Sequence, residues 1–106
     1  MSKAKSKQKS MVLSNQKIKL RKVTFSFEST GAKEVILAGD FNNWNPKKHP
    51  LKNDGKGTWG KSVMLSPGKY EYKFFVDGEW RLDPRNDQTC SNCFGTQNNV
   101  LNVTEG

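Results

Sequence analysis

Two short motifs carry the residues best suited to ligand chemistry, Gly39-Asp40-Phe41-Asn42-Asn43-Trp44 and Tyr72-Lys73-Phe74-Phe75-Val76-Asp77-Gly78-Glu79-Trp80. In each, a tryptophan lies just beyond strand-forming residues and is flanked by Asn, Asp, Lys or Glu instead of other apolar side chains. Indole offers a wide apolar face and one N–H, so such a ring suits a ligand that is apolar on its faces and polar at its edges. A pyranose meets that description, with axial C–H groups on the face and hydroxyls around the rim that Lys and Asn can satisfy. If each ring shields about 100 Å² at about 25 cal/mol per Å², two rings supply roughly 5 kcal/mol before entropic costs, equivalent to about 0.2 mM.

The elements that must hold these rings read as strands. Val23, Phe25 and Phe27 alternate in period two, and Ile18 and Leu20 keep a different phase across Arg21-Lys22, which predicts a bulge or a junction there. Val35 to Ala38 is apolar on both faces, as expected of an interior strand, and Gly39-Asp40 closes it into the first tryptophan motif. Asn45-Pro46, Asn53-Asp54-Gly55 and Lys56-Gly57 predict a turn-rich loop over 45–57. Trp59, Lys61, Val63 and Leu65 resume the alternation, placing Trp59 in the core. Tyr70, Tyr72, Phe74 and Val76 alternate with Glu71, Lys73 and Phe75, and Asp77-Gly78 supplies a tight hairpin turn into Glu79-Trp80-Arg81-Leu82. Residues 85–97 are polar, and Val100, Leu101 and Val103 form a last short strand. With no amphipathic helical pattern of useful length, the fold class is all-β: an antiparallel β-sandwich of about six to eight short strands.

A chain of 106 residues suits one small domain. Its net charge of +8 equals the excess contributed by Lys3, Lys5, Lys7, Lys9, Lys17, Lys19, Arg21 and Lys22, a stretch without acids, so from Val23 onward the charges balance. Residues 1–16 are expected to be a flexible basic tail and 17–106 the single β-sandwich domain, because the Lys-, Ser- and Gln-rich start offers nothing to bury. Only Met11, Val12 and Leu13 form an apolar run near the start, too short for a secretory signal, and no run spans a membrane. These features predict a cytoplasmic protein with no membrane partner.

From about Lys22 to Val103 the sequence resembles carbohydrate-binding module family 48, the immunoglobulin-like glycogen-binding module of the AMP-activated protein kinase beta subunit and of isoamylase and branching-enzyme N-terminal regions. Three ordered segments carry the resemblance: GDFNNW at 39–44, YEYKFFVDGEW at 70–80 and FGTQNNVLNV at 94–103. The resemblance implies a non-catalytic module for α-1,4-glucans such as glycogen, starch or maltooligosaccharides, in which Trp44 and Trp80 stack on sugars, Lys73 hydrogen-bonds them, and Thr96 and Asn98 serve the closing loop. Phe94 stands where the kinase modules commonly have Leu. It implies as partner a glucan polymer or oligosaccharide; an alternative reading is a protein-interaction module that docks onto a glucan-metabolising enzyme or a kinase subunit, with glucan contact secondary.

Other readings of the same residues are structural. Trp44 and Trp80 as edge-of-core rings, Lys73 as a solvated strand lysine and Asn98 as a turn residue are the competing assignments. Cys90-Ser91-Asn92-Cys93 supplies two thiols and His49 is the lone histidine, so no metal or other cofactor is expected. Reduced thiols are the expected state of the pair, with a local disulfide as the alternative. Asp77 and Asp83 are accounted for by turns, which argues against a glycosidase carboxylate pair. A single-stranded nucleic-acid binder would interleave basic residues with its aromatics, and the balanced body disfavours it.

Overall fold

The computed structural model describes residues 19–104 and has nine strands among them. In chain order they are β1 (Arg21–Glu28), β2 (Val35–Gly39), β3 (His49–Pro50), β4 (Lys52–Asn53), β5 (Thr58–Leu65), β6 (Gly68–Val76), β7 (Glu79–Arg81), β8 (Thr89–Ser91) and β9 (Gln97–Val103), with a 3-10 turn over Asp40–Asn42 after β2. One sheet runs β3-β2-β6-β9-β8, with β7 also paired to β6, and the other runs β1-β5-β4. Every pairing is antiparallel, giving the expected all-β sandwich. No helix among the described residues is long and apolar enough to cross a membrane.

The alternation of β6 explains its central place. Tyr72, Phe74 and Val76 turn inward and meet Phe25, Phe27, Trp59 and Leu65 from the smaller sheet in one apolar cluster. The Phe25 and Tyr72 ring centroids lie 5.0 Å apart at 74°, and those of Phe27 and Phe74 5.2 Å apart, so edge contacts stitch the two layers. All of β2 is buried, as its unbroken apolar run requires, and it lies between β3 and β6. Asp77 and Gly78 both adopt positive φ, at 48° and 84°, which a tight hairpin from β6 to β7 demands. The Asp77 carboxylate also accepts from the Lys33 and Glu34 amides, tying the hairpin to the loop before β2.

Four expectations need correction or fall elsewhere. No bulge interrupts β1: Arg21 to Glu28 pair continuously with Leu65 to Thr58. Leu20 is exposed and precedes the strand, so it sets no phase, and Ile18 lies outside the described residues. The expected loop at 45–57 contains the two-residue strands β3 and β4 around the buried Leu51, whose amide donates to the Val35 carbonyl. Such short pairings leave no periodicity to read. The polar stretch 85–97 contains β8, and β9 starts at Gln97, because Asn98 and Asn99 are buried through hydrogen bonds instead of apolar contact. The basic tail and its boundary at residue 16 lie outside the described residues.

Trp59 is 7% exposed and donates from Nε1 to the Ser29 carbonyl at 3.1 Å. Trp59→Ala should therefore cost about 3–5 kcal/mol of unfolding free energy, by loss of apolar burial and a cavity between the sheets. Urea denaturation checks this. A loss below about 1 kcal/mol would contradict its place in the core.

Candidate carbohydrate site

The outward residues of β6 and its neighbours form one continuous surface. Phe75 lies opposite Ile36 on β2 and Trp80 on β7, and the Phe75 and Trp80 centroids are 4.7 Å apart. Trp44 meets Trp80 edge to face, with centroids 6.1 Å apart at 66°. The two tryptophans are brought together as one aromatic ridge backed by Phe75, with Trp80 45% exposed and Trp44 half-buried. Phe75 was not among the expected site residues; its place in the outward phase of β6, next to Lys73, was the available signal.

The turn after β2 aims Trp44. Asn43 and Trp44 both have φ of 58°, an unfavourable left-handed backbone for a side chain as large as indole. Hydrogen bonds hold it there: the Trp44 amide donates to the Gly39 carbonyl at 2.9 Å, and its Nε1 donates to Asp40 Oδ1 at 3.0 Å. The other Asp40 oxygen accepts from the Glu71 amide at 2.8 Å, linking the ridge to β6. Asn42 is buried, accepts from the Gly39 amide, and donates to the Leu37 carbonyl and to His49 Nδ1. A Cβ on Gly39 would stand 2.6 Å from the Glu71 carbonyl oxygen, so only glycine allows this close approach to β6.

A polar floor continues from the ridge. Lys73 is 9% exposed, not a solvated strand lysine, and its Nζ donates to Thr96 Oγ1 at 3.2 Å. Asn98 is also buried, donating to Glu71 Oε1 at 3.0 Å and accepting from Asn92 Nδ2 at 3.0 Å. Its hydrogen bonds to Asn98 and to the Cys90 thiol hold the Glu71 carboxyl below its ordinary range. Asn92 organises the β8–β9 loop: Oδ1 accepts from the Phe94 and Thr96 amides, and Nδ2 also donates to Thr96 Oγ1 at 2.7 Å. Sequence reasoning missed Asn92, although an Asn opening a Gly-containing turn is the usual carrier of such bonds. Phe94 stands at the tip, 84% exposed. Lys73, Thr96 and Asn98 are thus joined through one hydrogen-bond network.

This surface can cover the flat face of a ring with indole while Lys73, which has two further N–H donors, meets hydroxyl groups. A family model described as the glycogen recognition site of AMP-activated protein kinase matches residues 21–106. The chain belongs to this family. It is 41% identical over 76 residues to Protein FLOURY ENDOSPERM 6, chloroplastic, of Oryza sativa subsp. japonica, covering 72% of this chain and 14% of that protein. It is 39% identical over 75 residues to the 5'-AMP-activated protein kinase subunit beta-2 of Homo sapiens, covering 71% of this chain and 26% of that protein. The chain therefore spans about a quarter or less of the length of these relatives. In fold it matches a maltogenic amylase from S. marinus with a TM-score of 0.69, at 24% identity over 80% of this chain and 14% of that chain.

Within the glycogen-recognition fold, His49 supports the Trp44 turn. Burial first, then the Lys61 and Lys48 ammonium groups, hold its imidazole below the ordinary 6.5, which keeps Nδ1 free to accept from Asn42 at 2.8 Å. A depressed folded value means that the stability it contributes is complete above about 6.5 and is lost as pH falls through that lower value. In an NMR pH titration, the His49 ring should titrate below 6.5 and the Trp44 indole N–H resonance should shift with it; a His49 midpoint above 6.5 would overturn this coupling.

Proposed function

We propose that this chain is a non-catalytic binding module for α-1,4-glucans, such as glycogen, starch or maltooligosaccharides. The observation that carries the reading is the Trp44–Trp80 ridge bordered by the Lys73–Thr96 hydrogen bond. Trp44 and Trp80 provide the stacking faces, Lys73 and Thr96 contact hydroxyls, Phe94 adds an apolar contact at the loop tip, and Asn98 holds the floor. The acids nearest the ridge serve as acceptors: Asp40 takes the Trp44 indole and the Glu71 amide, and Glu71 takes Asn98. That division of labour supports binding over hydrolysis. Residues 1–16 stand outside recognition as a basic tail, and 17–106 act as the binding domain.

Docking to a glucan-metabolising enzyme or a kinase subunit belongs to the same proposal, since two relatives carry such a module within far longer chains. Cytoplasmic residence is likewise proposed; the rice relative is chloroplastic by name. One shallow ridge gives weak affinity for a single oligosaccharide, in the high micromolar to millimolar range, and strength comes from many contacts along a polymer.

Because each ring is worth about 2–3 kcal/mol by area, Trp44→Ala or Trp80→Ala should weaken maltoheptaose binding about 30-fold or more by calorimetry. The rings touch, so the double variant should lose less than the product of the two single losses. Folded single variants that bind like the parent would disprove the assignment.

Stacking and neutral hydrogen bonds release few counterions. Affinity should therefore change by less than about twofold between 50 and 500 mM salt, whereas phosphate-led nucleic-acid binding would fall by orders of magnitude. A steep salt slope for single-stranded DNA with no glucan binding would replace this function with the nucleic-acid reading.

A further inference from the structure

The Cys90–Cys93 pair encloses the residue that organises the binding loop. Cys90 lies in β8 opposite Asn98, on the platform side and near the Glu71 carboxylate. Partial burial and that carboxylate raise the Cys90 thiol above its ordinary value, so it stays protonated as a donor. Cys93 is exposed in the loop, and both thiols are free. Between them, the Asn92 side chain makes four hydrogen bonds, with the Phe94 and Thr96 amides, Thr96 Oγ1 and Asn98 Oδ1.

The present loop works against a bond between these two sulfurs. Ser91 is still paired with Gln97 and the Asn92 amide with the Thr96 carbonyl at 2.9 Å, so the chain stays extended up to Asn92. Two extended steps separate the Cα atoms of Cys90 and Asn92 by about 7 Å before the turn begins, whereas a disulfide closes only with its Cα atoms about 4.4–6.8 Å apart. Closing it requires residues 91–93 to fold back, and Asn92 then leaves its partners.

The geometry points to Cys90 and Cys93 as an oxidation site that lowers glucan affinity by dismantling the Asn92 loop; this regulation rests on the glucan-binding reading above. The oxidant is an external disulfide, either a small molecule or an exposed protein disulfide. The Cys93 thiolate attacks it, forming a mixed disulfide and releasing one thiol. Cys90, once deprotonated, attacks Cys93 Sγ and releases the second thiol. Two protein thiols thus lose two electrons and one external disulfide becomes two thiols. Oxidation frees Phe94 from its position and deprives Lys73 of the oriented Thr96 hydroxyl. Because forming the bond costs the loop its hydrogen bonds, the disulfide is readily reduced, as a reversible switch requires.

The test incubates the protein with oxidised or reduced glutathione and records intact mass, amide NMR spectra and β-cyclodextrin affinity, with Cys90→Ser and Cys93→Ser as controls. The expected result is loss of two mass units, displaced Phe94 and Thr96 amide resonances, and affinity weakened about five- to tenfold, comparable to about one net hydrogen bond. Neither control should respond in the same way, and the melting temperature should fall by a few degrees, because a small ring adds little stability to offset the lost loop hydrogen bonds. Glutathione retained on Cys93 without ring closure, or a closed ring with unmoved amides or unchanged affinity, overturns the proposal. A reduced protein with an intact loop that binds no glucan overturns the function itself and the regulation with it; the amide shifts tell the two failures apart.

Discussion

The two-residue period of β6 is the constraint on which the rest of the molecule depends. One strand sends Tyr72, Phe74 and Val76 into the core and presents Glu71, Lys73 and Phe75 to the opposite face. Because its register with β2 is fixed by buried apolar partners, Leu37 against Phe74 and Val35 against Val76, the outward residues are fixed by the same pairing. A slip of one residue would expose Phe74 and bury Glu71, so the core enforces the platform. The site is in this sense the reverse side of the core and needs no separate scaffold beyond its two loops.

Those loops are built by asparagine side chains standing in for missing backbone partners. Asn42 closes the turn after β2, Asn92 closes the β8–β9 loop, and Asn99, fully buried, accepts from the Asp83 amide at 2.7 Å and donates to the Asn86 carbonyl. Asp83 in turn accepts from the Tyr72 hydroxyl at 2.7 Å, and Asn86 Nδ2 donates to the Tyr72 hydroxyl oxygen at 3.1 Å, so the segment after β7 is pinned to β6 from the inside. Burial, joined by the Asp83 carboxylate, pushes the Tyr72 hydroxyl far above its ordinary value and keeps it a donor. Burying an amide costs free energy unless its donors and acceptors are met, and a wrong loop conformation would leave several unmet together. Such loops are therefore specified by hydrogen bonding more than by apolar packing.

This division explains what the sequence discloses. Strands that bury a face are legible from alternation: Val23, Phe25 and Phe27 in β1, Trp59 in β5, and the inward set of β6 all fall where period two puts them. The hairpin at Asp77-Gly78 is legible because positive φ restricts residue choice. The placement of Trp44 and Trp80 just beyond strand-forming residues, and of Lys73 in the outward phase of β6, follows from the same reasoning, but the contact between the two tryptophans does not, since it depends on a 3-10 turn and a left-handed Trp44 that no periodicity encodes. Strands β3, β4 and β8 are illegible for a related reason. They are two or three residues long, and what holds them comes from partners outside their own segment, such as Ile36 for Pro50 and Asn98 for Cys90.

The strain at Trp44 gives the site its mechanical character. A left-handed conformation at a bulky residue costs on the order of 1–3 kcal/mol and persists only when the surroundings determine it. Here the Gly39 carbonyl, the Asp40 carboxylate and the Trp80 ring all act on the one residue. Part of the stability of the folded domain is thus committed to holding an indole in place before any ligand arrives, which reduces the rotamer entropy lost on association. With its N–H already engaged by Asp40, that indole offers its face more readily than its edge, so in the proposed role the hydrogen-bonding share of recognition would fall to Lys73 and the Asn92 loop. In the proposed glucan-binding role, a face that stacks without reading individual hydroxyls would tolerate sliding from one ring to the next along a repeating chain, with the exposed Phe94 as the loop's apolar contact.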